Sequence, residues 1–197
     1  ERMTSESVLT EAAEKIQVVA EAVRKAADSE GPFLMGVEEL PLEETLAAVK
    51  ACETAATAAH TKVSIARMFI ATKLVETKRF TKVPGEETQE KLKNYQMQLE
   101  AHTRKLNELK NATTARKKKS LMREAENEVS KAEELAKKVA EAAAIFEDDA
   151  KLFALSTEEI SKATEETTKA EVAANTALSD ARKFITDRQI EIRGSDS

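Results

Sequence analysis

More than half of the chain contains no helix-breaking residue. Neither glycine nor proline occurs in the 108 residues between Gly85 and Gly194, and the full 197-residue sequence has only four glycines and three prolines. β-Sandwiches and α/β enzymes need many turns, and turns favour these two residue types. Alanine, the strongest helix former, occurs 33 times. The sequence therefore predicts an all-α protein made of long helices.

Two amphipathic helices are predicted ahead of this stretch from apolar residues at three- and four-residue spacing. The helix at about 4–28 has the stripe Leu9, Ala12, Ile16, Val19, Val23 and Ala26. The helix at about 42–80 has the stripe Val49, Cys52, Ala56, Ala59, Val63, Ala66 and Ile70. Each stripe predicts one buried helix face.

A third helix begins near Glu86 with a strict heptad seam, formed by Leu92, Tyr95, Leu99, His102, Leu106 and Leu109. The seam fails across 113–120. It resumes in a new phase with Met122, Ala125, Val129, Ala132, Ala136, Val139, Ala143 and Phe146. Because nothing here breaks a helix, we predict one continuous helix over about 86–147. A loop at about 148–156 then leads to a last helix at about 157–193, with Ser156 or Thr157 as its N-cap.

The sequence repeats itself. A shift of 115 aligns 40–78 with 155–193 and gives 14 identities in 39 ungapped positions. A shift of 113 aligns the first apolar stripe with the stripe that begins at Met122. We therefore expect an elongated array of tandem antiparallel three-helix bundles that share the long helix. The first repeat spans 1–115, with 86–115 as its third helix. The second spans 116–197 and is incomplete, with helices only at about 116–147 and 157–193.

A period near 110 residues, three helices per unit and a helix shared between units resemble the tandem architecture of spectrin-like repeats. The Trp typical of the first helix of a spectrin repeat is absent, because the chain has no Trp. The segment from Leu92 to Lys119 is also similar to repeated helical segments in very long proteins of alveolate protists. These resemblances imply a piece of a large repetitive scaffold with no known activity.

A basic segment lies at the point where one predicted repeat meets the next. It contains six positive charges and no acid, namely Lys110, Arg116, Lys117, Lys118, Lys119 and Arg123. Consecutive charges surround a helix instead of lining one face, which favours an ordinary solvated surface. The alternative is a docking patch for an acidic protein tail, anionic lipid or nucleic acid. Nucleic acid is the least expected partner, because the net charge is −5 and no aromatic residues interleave the basic ones.

Residues that carry chemistry are scarce. Cys52 lies on an apolar stripe, where a thiol packs as a small hydrophobe. His60 and His102 would come close in a helical hairpin, but a metal site needs three or four ligands. No glycine-rich phosphate loop, HExxH or CxxC motif occurs. We therefore expect no enzyme, no cofactor and no metal site.

The predicted connections contain four apolar residues that we expect to cover the bundle ends, Phe33, Met35, Phe146 and Phe153. An exposed cluster of them would instead anchor the protein to a membrane or a partner. No apolar run is long enough to span a bilayer. A single cysteine excludes an internal disulfide framework, and we expect a cytoplasmic, cytoskeleton-associated protein.

The sequence thus predicts a non-enzymatic spacer or protein-interaction rod within a larger protein, acting on protein partners as a monomer or weak homodimer. One alternative is an amphipathic bundle that binds lipid surfaces. A second alternative is a coiled-coil oligomerisation module that uses the heptad seam.

Overall fold

A computed structural model of the protein describes residues 2–35, 40–79 and 82–195. These residues form α-helices and two short 3-10 turns, at Thr77–Arg79 and Ala144–Phe146, and they contain no β-strand. The all-α prediction is therefore confirmed. The α-helices are α1 Arg2–Asp28, α2 Gly31–Leu34, α3 Leu42–Glu76, α4 Lys82–Ala143, α5 Asp149–Phe153 and α6 Thr157–Ser195.

The chain divides into two compact units, one ending at Lys117 and the other starting at Lys118. The division falls inside α4, which is 62 residues long. The first unit contains α1, α2, α3 and the leucine-rich part of α4. The second unit contains the remainder of α4 together with α5 and α6.

Helices α1, α3 and α4 of the first unit pack around one core. Its largest side chains with almost no exposure include Val19, Ile70, Leu92, Leu99 and Leu106. Every residue of the predicted α3 stripe is buried. The α1 stripe residues are also buried except Leu9, which is half-buried, and these stripe predictions are confirmed.

Contacts near the ends of α1 and α3 show in which direction the two helices run. Cys52 of α3 donates a hydrogen bond of 3.2 Å to the carbonyl oxygen of Ser29, just beyond α1, while Lys15 lies 4.8 Å from the Phe69 ring. Helices α1 and α3 are therefore antiparallel.

The seam of α4 continues through the segment where it was predicted to fail. Thr113 and Ser120 extend the seven-residue spacing of Leu92, Leu99 and Leu106, and both are buried. Their hydroxyls find no hydrogen-bond partner among the described residues. The residues at these two positions are polar, as the sequence shows, but the helix face that they occupy stays buried as far as Ser120, which the predicted failure of the seam did not include. A buried hydroxyl without a partner costs stability, so this part of the seam is weaker than the leucine part.

The start of α4 and the predicted loop at 148–156 differ from the predictions. Helix α4 begins at Lys82 and not at Glu86, which places Pro84 in the first turn, where a missing N–H costs no helical hydrogen bond. The predicted helix end at Phe80 lies outside the described residues. Within the predicted loop at 148–156 the chain forms α5, which Asp148 caps by accepting from the Lys151 N–H at 3.2 Å.

The start of α6 agrees with the predicted cap. Glu159 accepts from the Ser156 N–H at 2.8 Å, and Ser156 Oγ accepts from the Glu159 N–H at 3.3 Å, which is a capping box. The Glu159 carboxylate accepts from both the N–H and the hydroxyl of Ser156, and these two bonds lower the pKa of the Glu159 carboxyl, that from the N–H most strongly. The prediction that apolar residues of the connections cover the bundle ends was wrong for Met35 and Phe153, which are both exposed. Phe33 and Phe146 are half-buried.

No helix in the described part of the chain combines the length and the apolar character that crossing a membrane requires.

Replacing Leu99 by alanine is expected to destabilise the first unit by about 2–5 kcal/mol, because a 1% exposed leucine leaves a cavity that its neighbours only partly fill. The matched control is Met97→Ala on the same helix, where the side chain is 61% exposed and the cost should stay within about 0.5 kcal/mol. Urea denaturation followed by circular dichroism measures both. Equal losses in the two variants would contradict the assigned core.

Candidate functional site

Two helices form most of the second unit, the part of α4 from Lys118 onward and α6. The Thr167 hydroxyl of α6 shares its one proton between the carbonyl oxygen of Ala163 on the same helix, at 2.8 Å, and that of Ala142 on α4, at 3.1 Å. Among the described residues of this unit, the buried apolar side chains are Leu121 near its start and, further along the pair, the small Ala132, Ala174 and Ala181. Small side chains let two helices approach closely, but they contribute little buried apolar area. The pair is therefore less well covered than the core of the first unit.

An open apolar groove runs between these two helices. Its volume is about 280 Å³. It is lined by Val129, Ala132, Ala136, Leu178, Ala181 and Ile185, with Glu133 and Arg182 at its edges. A shallower depression of about 310 Å³ continues it along α4 past Met122 and Ala125. The stripe that begins at Met122 was predicted to be a buried face, but much of it lies open, because no third helix among the described residues covers it.

The groove positions are filled in the first unit. Under the shifts of 113 and 115, Val129 corresponds to Ile16 and Leu178 corresponds to Val63. Val129 and Leu178 are 39% and 40% exposed, whereas Ile16 and Val63 are 7% and 2% exposed. Ile16 and Val63 share one core with the leucines of α4. The leucine seam of α4 therefore makes the difference between a covered and an uncovered helix pair.

Two sets of contacts recur at corresponding positions of the two helix pairs. The hydrogen bond from Cys52 to Ser29 in the first unit has its counterpart in the bond from Thr167 to Ala142 in the second. The chemistry of the donor changes from thiol to hydroxyl, while the acceptor is a backbone carbonyl in both. Each bond fixes the closed end of its antiparallel pair.

The second recurring set joins an aromatic ring, a base and an acid on one helix. Its members are Phe69, Lys73 and Glu76 on α3, and Phe184, Arg188 and Glu191 on α6. The cation lies 5.7 Å from the ring centre in the first set and 5.2 Å in the second. The ion pairs measure 2.7 Å and 2.6 Å. The repeated sequence thus forms the same local structure twice.

Four of the six basic residues in the segment interact with other residues of the same chain. Arg116 pairs with Glu30 and lies 4.8 Å from the Phe33 ring. Lys117, Lys118 and Arg123 are half-buried, and each of them also interacts with other residues. Lys110 and Lys119 are exposed. The six charges are therefore not equivalent, and a docking role for them stays a prediction.

Sequence reasoning missed the contact between Arg116 and Glu30. The signal for it was present, because Arg116 continues the spacing of Tyr95, His102 and Leu109 along the seam. An arginine at such a position points toward the neighbouring helices, where it needs an acid as its partner. No local pattern identified Glu30 as that acid.

The single cysteine and the two histidines are buried or half-buried among packed helices. Cys52 is fully buried, and His60 and His102 are half-buried. Burial lowers the pKa of the His102 imidazole below 6.5, and the nearby charge of Lys105 lowers it further. Within the described residues, no group of three His, Cys, Asp or Glu side chains is placed to hold a metal ion.

Comparisons with known proteins identify no relative. No protein-family model matches the chain, and neither curated proteins nor solved structures give a significant match. The resemblance to spectrin-like repeats and to helical proteins of alveolate protists therefore stays a prediction.

The lowered pKa of His102 predicts a loss of stability on mild acidification. The unfolded chain takes up the proton near pH 6.5 and the folded chain only at lower pH, so the free energy of unfolding falls as the pH drops below about 6.5. In an NMR titration, the His102 resonance, assigned by its loss in His102→Gln, should have a midpoint below 6.5. The variant should lose less thermal stability between about pH 7.5 and about pH 5.5. A midpoint at or above 6.5 would contradict the partial burial of the His102 imidazole.

A double-mutant cycle on Arg116→Gln and Glu30→Gln should give a coupling of about 0.5–1 kcal/mol, because the pair is shielded from solvent on both sides. The matched control is the exposed pair Arg24–Asp28, for which we expect about 0.3–0.5 kcal/mol. Both couplings should shrink in high salt, the exposed one more strongly. A coupling near zero for Arg116–Glu30 would refute its role in joining α4 to the end of α1.

Proposed function

We propose that this protein is a non-enzymatic scaffold of tandem helical repeats that binds protein partners. The α1–α3 pair and the pair formed by α4 and α6 are two copies of one building block. In the first copy the leucine-rich part of α4 is the third helix, and in the second copy that place is open. The recurring hydrogen bonds from Cys52 and Thr167 support this reading.

The observation that carries the proposal is the difference in exposure between corresponding positions of the two pairs. Apolar residues that a third helix buries in the first unit line an open groove in the second. An apolar groove between packed helices is a common seat for a further helix. A scaffold whose repeats differ in this way has one closed unit and one unit able to receive a partner.

The same contacts weigh against the two alternatives. An oligomerisation module would use the seam leucines between chains, but Leu92, Leu99 and Leu106 are buried within their own unit. A lipid-binding bundle would present the basic segment to anionic headgroups, but Arg116 is engaged with Glu30 and Phe33. Using the seam leucines between chains would require the first unit to open and lose its core, and presenting Arg116 to headgroups would break its contacts with Glu30 and Phe33.

Vesicle flotation tests the proposal against lipid binding. The full chain should stay at the bottom of the gradient with phosphatidylserine vesicles, because its first unit stays closed and much of its basic segment is engaged. A chain carrying Lys110→Glu and Lys119→Glu, the two exposed lysines of that segment, is the matched control and should behave identically. Flotation of the original chain that the two substitutions abolish would refute the scaffold proposal in favour of membrane-surface binding.

A further inference from the structure

We propose that the groove between α4 and α6 binds a single amphipathic helix of another polypeptide, with leucines at heptad spacing and a basic edge. The inference rests on the proposed scaffold function and adds the chemistry of the partner. It does not involve the first unit, whose corresponding face is already occupied.

The first unit indicates which apolar side chains a helix in the groove needs. There, the α1 and α3 residues that correspond to the groove lining share a core with Leu92, Leu99, Leu106 and Leu109 of α4. Three of these leucines are seven residues apart, which keeps them on one face of a helix. The groove in the second unit keeps a small residue at one corresponding place, since Ala66 corresponds to Ala181 and both are buried, and it has the smaller Ala132 and Ala136 where the first unit has Val19 and Val23. A helix with the same leucine spacing would therefore fit there.

Arg182 specifies one edge of the partner helix. Its counterpart in the first unit, Arg67, donates a hydrogen bond of 3.1 Å to the Thr103 hydroxyl of α4. Arg182 lies at the edge of the groove and is exposed. A helix in the groove would therefore bring a hydroxyl or a carboxylate to Arg182, at the position that Thr103 holds in the first unit.

Two glutamates specify the other edge. Glu126 and Glu133 lie on α4, seven residues apart, and border the groove and the depression beside it. Their counterparts in the first unit are the neutral residues Ala13 and Ala20. Negative charge at heptad spacing attracts lysine or arginine on the facing edge of a docked helix. The groove should therefore prefer a helix with basic residues on that side.

The probe is a labelled peptide of residues 86–115 from this chain, added to the full-length protein. It carries the leucine seam and places Thr103 on one edge and Lys105 on the opposite edge. Fluorescence anisotropy should show saturable binding. Leu178→Glu should weaken it at least about tenfold, since a charge then enters an apolar seat. The matched control is Val172→Glu, an exposed residue of α6 that does not line the groove, and it should stay within about twofold.

A charge exchange separates a binding effect from a folding effect. Glu133→Lys should weaken binding of the original peptide about fivefold, the scale of one exposed ion pair. A peptide with Lys105→Glu should bind the Glu133→Lys protein more tightly than the original peptide does. A change in the peptide cannot repair a protein that fails to fold, so this rescue would identify the groove as the seat.

Three results would overturn the inference. The first is absence of saturable binding, and the second is equal binding to the Leu178→Glu and Val172→Glu proteins. The third is a dimer of the chain alone, seen by sedimentation equilibrium, that Leu178→Glu abolishes and Val172→Glu preserves, because a second copy would then fill the groove. Flotation with vesicles tests the scaffold function separately. A chain that stays off vesicles but fails to bind the peptide refutes only the inferred partner.

Discussion

Burial of one leucine seam is the constraint on which the rest of the structure depends. Two packed amphipathic helices leave a valley of apolar side chains between them, and only a third element can remove that valley from water. In the first unit Leu92, Leu99 and Leu106 of α4 fill it and lose almost all of their exposure. At roughly 25 cal/mol for each Å² of apolar surface buried, such residues dominate the free energy of folding. The ion pair of Arg116 with Glu30 adds only a local fastening of α4 to the end of α1.

The second unit shows what the same building block does without that seam. Its helices close against each other through alanines, and the Thr167 hydrogen bond fixes the end of the pair. The larger apolar residues, Val129 and Leu178, remain partly in contact with water. An apolar groove between helices destabilises the unit while water covers it. Covering the same apolar area with a partner is favourable, so the groove is also a binding surface. The proposed function and the proposed partner both follow from the absence of a leucine seam over this groove.

A continuous helix can serve two units only if its buried face changes character along its length. In α4 the change passes through Thr113, Arg116 and Ser120, which hold seam positions without supplying apolar surface. Arg116 instead finds an acid and an aromatic ring from the connection that follows α1. The basic residues around it are therefore partly structural, which explains why a charge run that is obvious in the sequence need not form a free surface.

The sequence by itself determined the helices, their stripes and the internal repeat, because each depends on the local spacing of apolar residues and on the scarcity of glycine and proline. Of the candidate site, the repeat indicated an unpaired second copy, and the stripe from Met122 onward indicated an apolar face. Whether that face is buried, and which acid meets Arg116, only the tertiary structure decided. Burial depends on which helix comes to lie against the face. Burial in the first unit comes from residues distant in the sequence, such as Leu106, which shares a core with Val63. No local pattern around Leu178 could contain that information.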